Sequence, residues 1–246
     1  MISATIITLN EEKNIRRILQ SLNGVVEEIV IVDSGSQDKT IELAKEYGAR
    51  IFFRKFDNFS NQKNFAVSKA EGNWILSADA DEQIPQQLGE EIKKAVQSHK
   101  FVGFLMPRRN YILGREIKHS WWSPDAHIWL WKKNKGKWVG NVHEEVKVEG
   151  EVGELKNAKV NFQDKNISDF MQKNDFYATI AANDLFKKGV RFSLFHLFYD
   201  SILEFLIRFI YKFGFLDGWR GFTLSYLMAI YKISVWIKIY ELQNLK

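Results

Sequence analysis

The stretch LSADADEQIP, residues 76–85, places Asp79, Asp81 and Glu82 within four positions, just past an apolar run, NWILSA. Carboxylates crowded at a strand end repel one another and lose hydration if covered. A fold tolerates them when the cluster stays wet or when a cation sits among the oxygens. Asp79 and Asp81, one residue apart on an extended segment, point the same way. One carboxylate of such a pair suits a ribose hydroxyl. The other suits a hard cation, Mn2+ or Mg2+, whose shell is completed by diphosphate oxygens and water. A solvated acidic loop is the alternative, and Glu82 is left to it.

Two further acids stand out. Asp33 ends a second apolar run, EEIVIVDSG (27–35), and is followed by Ser-Gly-Ser. A carboxylate there accepts hydrogen bonds from a nucleobase or ribose at a sheet edge, or it caps the following turn, and on the residues alone capping is favoured. In VHEEV (142–146) a strand pattern is broken by His143, Glu144 and Glu145. Strict alternation puts Glu144 on the side of Val142 and Val146. An acid there is costly without a partner or a task. A general base whose pKa is raised by dry surroundings fits, as does a strand-edge acid turned to water.

Positioning these groups requires strand ends brought together. SATIITL (3–9) is apolar and β-branched, and NEEKNIRRILQSLNG (10–24) keeps Ile15, Ile18, Leu19 and Leu22 at helical spacing. Asn10 and the acids after it read as a helix start. EEIVIVDSG, RIFFRK (50–55) and NWILSADAD (73–81) read as strands, and SQDKTIELAKEYGA (36–49) and NFSNQKNFAVSKAEG (58–72) as helices. Continuous apolar strands alternating with helices predict a parallel sheet covered on both faces. Ligands of such sheets bind beyond the carboxyl ends of the strands, where Asn10, Asp33 and Asp79–Asp81 fall. Residues 101–165 read as strands and loops. ISDFMQKNDFYATIAANDLFKKG (167–189) reads as a helix with a Ser168 cap and a Gly189 stop.

The remaining segment is different in kind. Residues 187–246 hold nine Lys/Arg against four Asp/Glu, and 15 of the chain's 35 aromatic residues. That excess of five equals the whole net charge of +5, so residues 1–186 balance. The longest lightly charged run, Gly221–Ile237, still contains Lys232 and falls short of a comfortable membrane span. An interfacial pair of aromatic, basic helices is expected, against the alternative that the aromatics are core of a helical cap. Zero cysteines exclude disulfides, thiolate metal sites and cysteine nucleophiles. The opening MISATIITLNEE lacks a basic region before an apolar run, so no signal peptide is expected and the cytoplasm is the natural compartment.

Taken together, SATIITLNEE, IVIVDSGSQDKT, NQKNFAVSKAEGNWILSADADE and VHEEV resemble family 2 inverting glycosyltransferases of the GT-A fold. The likeness runs over essentially the whole chain and is nearest to small bacterial β-1,4-glucosyltransferases of the lipopolysaccharide inner core. It implies an α/β fold with a C-terminal helical membrane-associating segment. Residues 1–100 would form the nucleotide-sugar half, 101–185 the acceptor and catalytic half, and 186–246 amphipathic helices. Thr8, Asn10 and Glu11 would line the nucleoside pocket, Asp33 would take the uracil edge, and Lys63 would stand near base and phosphates. Asp79 would bind ribose and Asp81 the metal. Glu144 would deprotonate the acceptor, with Asp125 in reserve. Relatives often carry a His where this chain has Asn161, so either Asn161 substitutes as an oxygen ligand, His143 helps, or the metal is held more loosely. Trp121, Trp122 and Trp138 offer faces for a sugar, although large core aromatics are the default.

The expected activity is transfer of a hexose, glucose first, from a UDP-sugar to a membrane glycolipid, by a protein peripheral on the inner face of the membrane. A polyprenyl-phosphate acceptor is the alternative on the same fold. A non-catalytic basic protein bound to membrane or RNA is the distant one. Nucleic acid is not an expected partner, because the positive charge is confined to the apolar tail and no recognition motif is present.

Overall fold

The first strand, β1 (Ile2–Thr8), is almost entirely buried, as a strand covered on both faces must be. A computed structural model describes residues 1–140, 144–163 and 166–244. After β1 come α1 (Ile15–Leu22), β2 (Glu28–Asp33), α2 (Thr40–Glu46), β3 (Arg50–Phe53), α3 (Phe59–Lys69) and β4 (Trp74–Ser77). The alternation expected for residues 1–81 is present, and β1 pairs in parallel with β2 and β4, and β2 with β3. The chain continues through β5 (Glu82–Gln83), α4 (Gln86–Ala95), β6 (Gly103–Ile112), β7 (Arg115–Ile117), β8 (Ala126–Lys132), β9 (Gly136–Val139), β10 (Glu145–Val148), β11 (Val152–Glu154) and β12 (Lys159–Phe162). Three helices follow: α5 (Ile167–Lys187), α6 (Leu194–Leu206) and α7 (Gly218–Asn244).

The chain divides into two compact units. The first comprises Met1–Arg109 and Asp125–Phe162, the second Asn110–Pro124 and Gln163–Lys246. The sheet runs β3-β2-β1-β4-β8-β6-β12-β5. It is parallel up to β4, and then β8 turns antiparallel to both β4 and β6. Beneath it Ile6, Ile18, Leu19, Ile31, Leu76 and Trp131 share one core. Amphipathic α1 supplies Ile15, Ile18, Leu19 and Leu22 to it, the four positions whose spacing marked the helix.

Several boundaries differ from the sequence expectation. The first helix begins at Ile15, because Asn10 takes a left-handed backbone (φ 56°) and belongs to a loop. The fourth strand stops at Ser77, so Asp79 and Asp81 lie on irregular backbone. The cap of α5 is Asn166, whose side chain accepts from the Asp169 amide, and not Ser168. Glu144 immediately precedes β10.

In the second unit β7 pairs antiparallel with Asn110–Ile112, and α7 packs between Ile112, Ile117 and Phe170 at one end and Ala178 and Ala182 at the other. The helical stretch Gly214–Asn244, 31 residues, is long and apolar enough to cross a membrane by length and composition. The shorter run expected from the sequence is exceeded because the helix continues through Lys238 and Glu241. Close approach fixes its start: a Cβ on Gly221 would lie 1.8 Å from the Gly214 carbonyl oxygen. Backbone cannot rotate aside as a side chain does. Gly221→Ala is therefore expected to destabilise the chain by about 1–3 kcal/mol or more, read as a lowered thermal midpoint; an unchanged midpoint would contradict this packing.

Candidate active site

At the ends of β1 and β2 the loops lock together. The Asp33 Oδ1 accepts the Gly35 and Ser36 amides at 2.8 Å each, and its Oδ2 accepts the Thr8 hydroxyl at 2.9 Å and the Ser36 hydroxyl at 2.5 Å. Four bonds fill a carboxylate's acceptor positions. Asp33 thus has the turn-capping role favoured on its residue type, and a nucleobase would have to displace one of these partners. Asn10 joins the two loops, its amide donating to Ser36 Oγ and its Oδ1 accepting from the Gln37 amide, both at 2.8 Å. Glu11 donates its amide to Thr40 Oγ1 at 2.7 Å and accepts from the Asn14 side chain. Thr8, Asn10, Glu11 and Asp33 therefore form one cradle.

A second group lies at the end of β4. Lys63, on the buried face of α3, donates to Glu144 Oε1 at 2.9 Å and lies 3.4 Å from Asp79 Oδ1. Its ammonium also rests 4.4 Å from the centroid of the Trp138 ring. Burial opposes charge on Lys63, but Asp79 and Glu144 on either side outweigh it and raise its pKa. Burial likewise opposes charge on Asp79, whose pKa is nonetheless lowered by Lys63, Lys159 and Arg108. The Asp79 side chain is about one-third exposed (32%), so a solvent-borne ligand can reach it. Glu144 is mostly covered, while Glu145 points outward, as alternation predicted. Its surroundings are not the dry wall expected of a base, since an ammonium holds one of its oxygens.

Glu82 corrects the expectation of a solvated acid. Its side chain is fully buried, bonded at 2.7 Å to the equally buried Lys159 Nζ, and its Oε2 accepts the Asp79 amide at 3.0 Å. Arg108 approaches Glu82 Oε1 at 3.6 Å and donates to Asp125 Oδ2 at 2.7 Å, while His127 lies 3.0 Å from the other Asp125 oxygen. The reserve base is thus held in a paired network. Lys159 sits 3.3 Å over the Trp129 ring. Burial pushes its pKa down to about 8, Glu82 restoring part and the neighbouring Arg108 opposing it. Lys63 and Lys159 shift in opposite directions because the first faces two carboxylates and the second shares one with a guanidinium.

These residues set what a metal would meet. Among the described residues no group of three or more His, Asp or Glu is arranged to hold a cation. Asp79 and Glu82 are committed to Lys63 and Lys159. Asp81 passes its backbone carbonyl to the Phe162 amide at 2.9 Å, beside buried Asn161, whose register partner is Glu82. His143 lies outside the described residues. A hard cation at Asp81 would need phosphate oxygens and water for the rest of its shell. Five acids, Asp79, Asp81, Glu82, Asp125 and Glu144, stand against three cations, Lys63, Arg108 and Lys159, a formal −2 for these eight side chains.

Sequence reading missed Arg108 and Lys159, and left Glu82 to a solvated loop. The available signal was Lys159 at a strand position, where a buried lysine demands an acid. Trp138 is buried core, as the default for large aromatics has it, and Trp122 packs on Phe170 in the second unit, where Trp121 is half exposed.

The model of the family described as Glycosyl transferase family 2 matches residues 3–145, a span running from β1 to the start of β10, and the chain belongs to that family. Its architecture is mixed α/β, as the resemblance to that family implied. An uncharacterized glycosyltransferase of Rickettsia typhi is 28% identical over 254 residues, covering 98% of this chain and 87% of its own. The lipopolysaccharide core biosynthesis glycosyltransferase LpsC of Rhizobium meliloti is 28% identical over 254 residues, covering 100% of this chain and 94% of its own. The crystal structure of Staphylococcus aureus TarS 1–349 aligns with 100% of this chain and 92% of its own at 15% identity and a TM-score of 0.48.

Removing one partner of a buried pair strands a charge. Lys159→Met should therefore lose about 3–5 kcal/mol of stability, and Glu82→Gln combined with Lys159→Met should lose less than Lys159→Met alone. Urea unfolding of both variants measures the difference, and a milder effect for the single variant would contradict the pair's role.

Proposed function

We propose that this chain transfers a hexose, glucose first, from a UDP-sugar to a hydroxyl of a membrane glycolipid of the lipopolysaccharide-core kind, at the cytoplasmic face of the membrane. The observation that carries the reading is the line Glu144–Lys63–Asp79, which sets a proton acceptor and a ribose-binding carboxylate on one buried ammonium. The family supplies the reaction class, and the full-length likeness to LpsC supports the acceptor class. Residues 1–100 take the nucleotide-sugar role, 101–185 the acceptor role, and 186–246 face the membrane.

In the proposed mechanism the cradle of Thr8, Asn10, Glu11 and Asp33 holds the uridine, with Asp33 accepting from the uracil edge in place of the Ser36 hydroxyl. Asp79 accepts from a ribose hydroxyl. As the diphosphate arrives, the Lys63 ammonium turns towards it, and the Glu144 carboxylate is released to face the acceptor. Glu144 takes the acceptor's hydroxyl proton, the acceptor oxygen forms a bond to the anomeric carbon, and the bond to the diphosphate oxygen breaks on the opposite face. Its electron pair leaves with UDP, and the configuration inverts. A divalent cation, Mn2+ or Mg2+, bound at Asp81 would supply stabilisation of the negative charge gathering on the diphosphate.

Two measurements test this. Calorimetric titration of UDP should show binding that depends on Mn2+ and that Asp81→Asn loses; metal-independent binding in both proteins would contradict the assignment. With an identified acceptor, Glu144→Gln should leave UDP affinity within a few-fold and lower kcat by about 10²–10⁴. Undiminished turnover would instead favour a polyprenyl phosphate, whose oxygen is already anionic and needs no base.

A further inference from the structure

Helix α6 is built inside out. Phe195, Phe198 and Ile202, spaced to share one face, are 68%, 58% and 58% exposed, while Ser201 and Glu204 opposite them are buried. Glu204 accepts from Arg208 at 2.5 Å and lies 3.7 Å from Lys232 Nζ of α7. A helix against water places these groups the other way round. The turn that follows and the start of α7 continue the pattern, with Phe213, Leu216 and Trp219 all at least 56% exposed. The carboxylates of residues 194–219 are all bound inward. Asp200 accepts from the Trp236 indole, Glu204 from Arg208, and Asp217 from the Lys118 and His119 amides. The outward face is left apolar and aromatic, and Lys212 stands at its turn between the Trp121 and Tyr211 rings.

What covers this face is decided by charge and by α5. A protein partner in water would leave a surface of this kind exposed whenever it dissociated. An anionic bilayer instead matches an apolar face rimmed by aromatic rings and a cation, with every acid turned away. Full crossing by α7 is opposed by its packing, because Val235, Trp236 and Ile239 lie on Ala178 and Ala182 of α5. Lys238 of α7 is paired at 2.9 Å with Asp175 of α5, which also carries Asp169, Asp184 and Lys187. A spanning α7 would carry those charges into hydrocarbon or be stripped from its partner.

We propose that Leu194–Trp219 is a monotopic wedge: the outward face of α6 and its turn enters one leaflet of an anionic membrane, Glu204, Arg208 and Lys232 form the polar seam inside it, and α7 does not cross. This deepens the glycolipid-acceptor reading and rests on it for its purpose. Insertion of this kind is driven by apolar burial, so it outlasts the screening of charge.

The chain has no cysteine, so single-cysteine variants carry an environment-sensitive NBD label without background. Ile202→Cys and Leu216→Cys report on the wedge, Ser168→Cys on α5, and Glu241→Cys on the end of α7. With sealed phosphatidylglycerol–phosphatidylcholine vesicles, labels at 202 and 216 should shift to the blue and be quenched by brominated acyl chains. They should remain so in roughly 1 M NaCl, where the Debye length is about 3 Å. The label at 168 should stay in water, and that at 241 should be reduced by dithionite added outside. Unquenched labels at 202 and 216, quenching lost at high salt, or a label at 241 protected by the vesicle would each overturn the wedge. So would blue emission without vesicles, which would mean that a second copy covers the face. UDP calorimetry on the same samples separates the two readings. Intact, metal-dependent binding with no lipid penetration sinks the wedge alone, and absent UDP binding sinks the glycosyl-transfer reading while leaving the wedge to stand on the vesicle data.

Discussion

The site depends on the burial of Glu82. Three carboxylates within four residues cannot share a covered loop unless some are neutralised, and here the protein does it with its own cations. Lys159 reaches Glu82 from β12 at 2.7 Å, and Arg108 comes from β6. With Glu82 tied down and receiving the Asp79 amide, the backbone after β4 is held in the turn that presents Asp79 and Asp81. One residue that binds no ligand thus aims the two that are proposed to.

The same electrostatic logic extends to Glu144. Lys63 is shared between Asp79 and Glu144, so the ribose side and the proposed base are connected through a single ammonium. Buried in contact with Trp138, it cannot swing into water, and its exchange partners are limited to what enters the site. The proposed nucleoside diphosphate would be the competitor for it. On the proposed reading a cation would accompany that anion into the acid-rich cluster.

Much of the architecture was legible in the sequence. Continuous apolar strands ending in Asp33 and before Asp79, with Ile15, Ile18, Leu19 and Leu22 at helical spacing, predicted the parallel half of the sheet. The antiparallel half was read only as strands and loops, because its strands join the sheet out of chain order, β8 between β4 and β6 and β12 beside the distant β5. The acids of the site were visible as residues, but their partners were not. Lys159 is 77 positions from Glu82 and Lys63 is 81 from Glu144, and no local pattern reports such pairing. Asn10 was misread as a helix start for a related reason. Its side chain serves a loop 27 residues away and not the helix that follows. The tail was read correctly as aromatic and basic, yet its inside-out packing needed the positions of Ser201 and Glu204 against α7.

A crystal structure of the chain with UDP and Mn2+ is the most direct test of this account. Uridine is expected in the cradle at Asp33, ribose on Asp79, the metal between Asp81 and the diphosphate, and Lys63 moved from Glu144 towards the phosphates with Glu82–Lys159 undisturbed. Nucleotide bound elsewhere, or bound here with Lys63 still on Glu144 and no metal at Asp81, would contradict it.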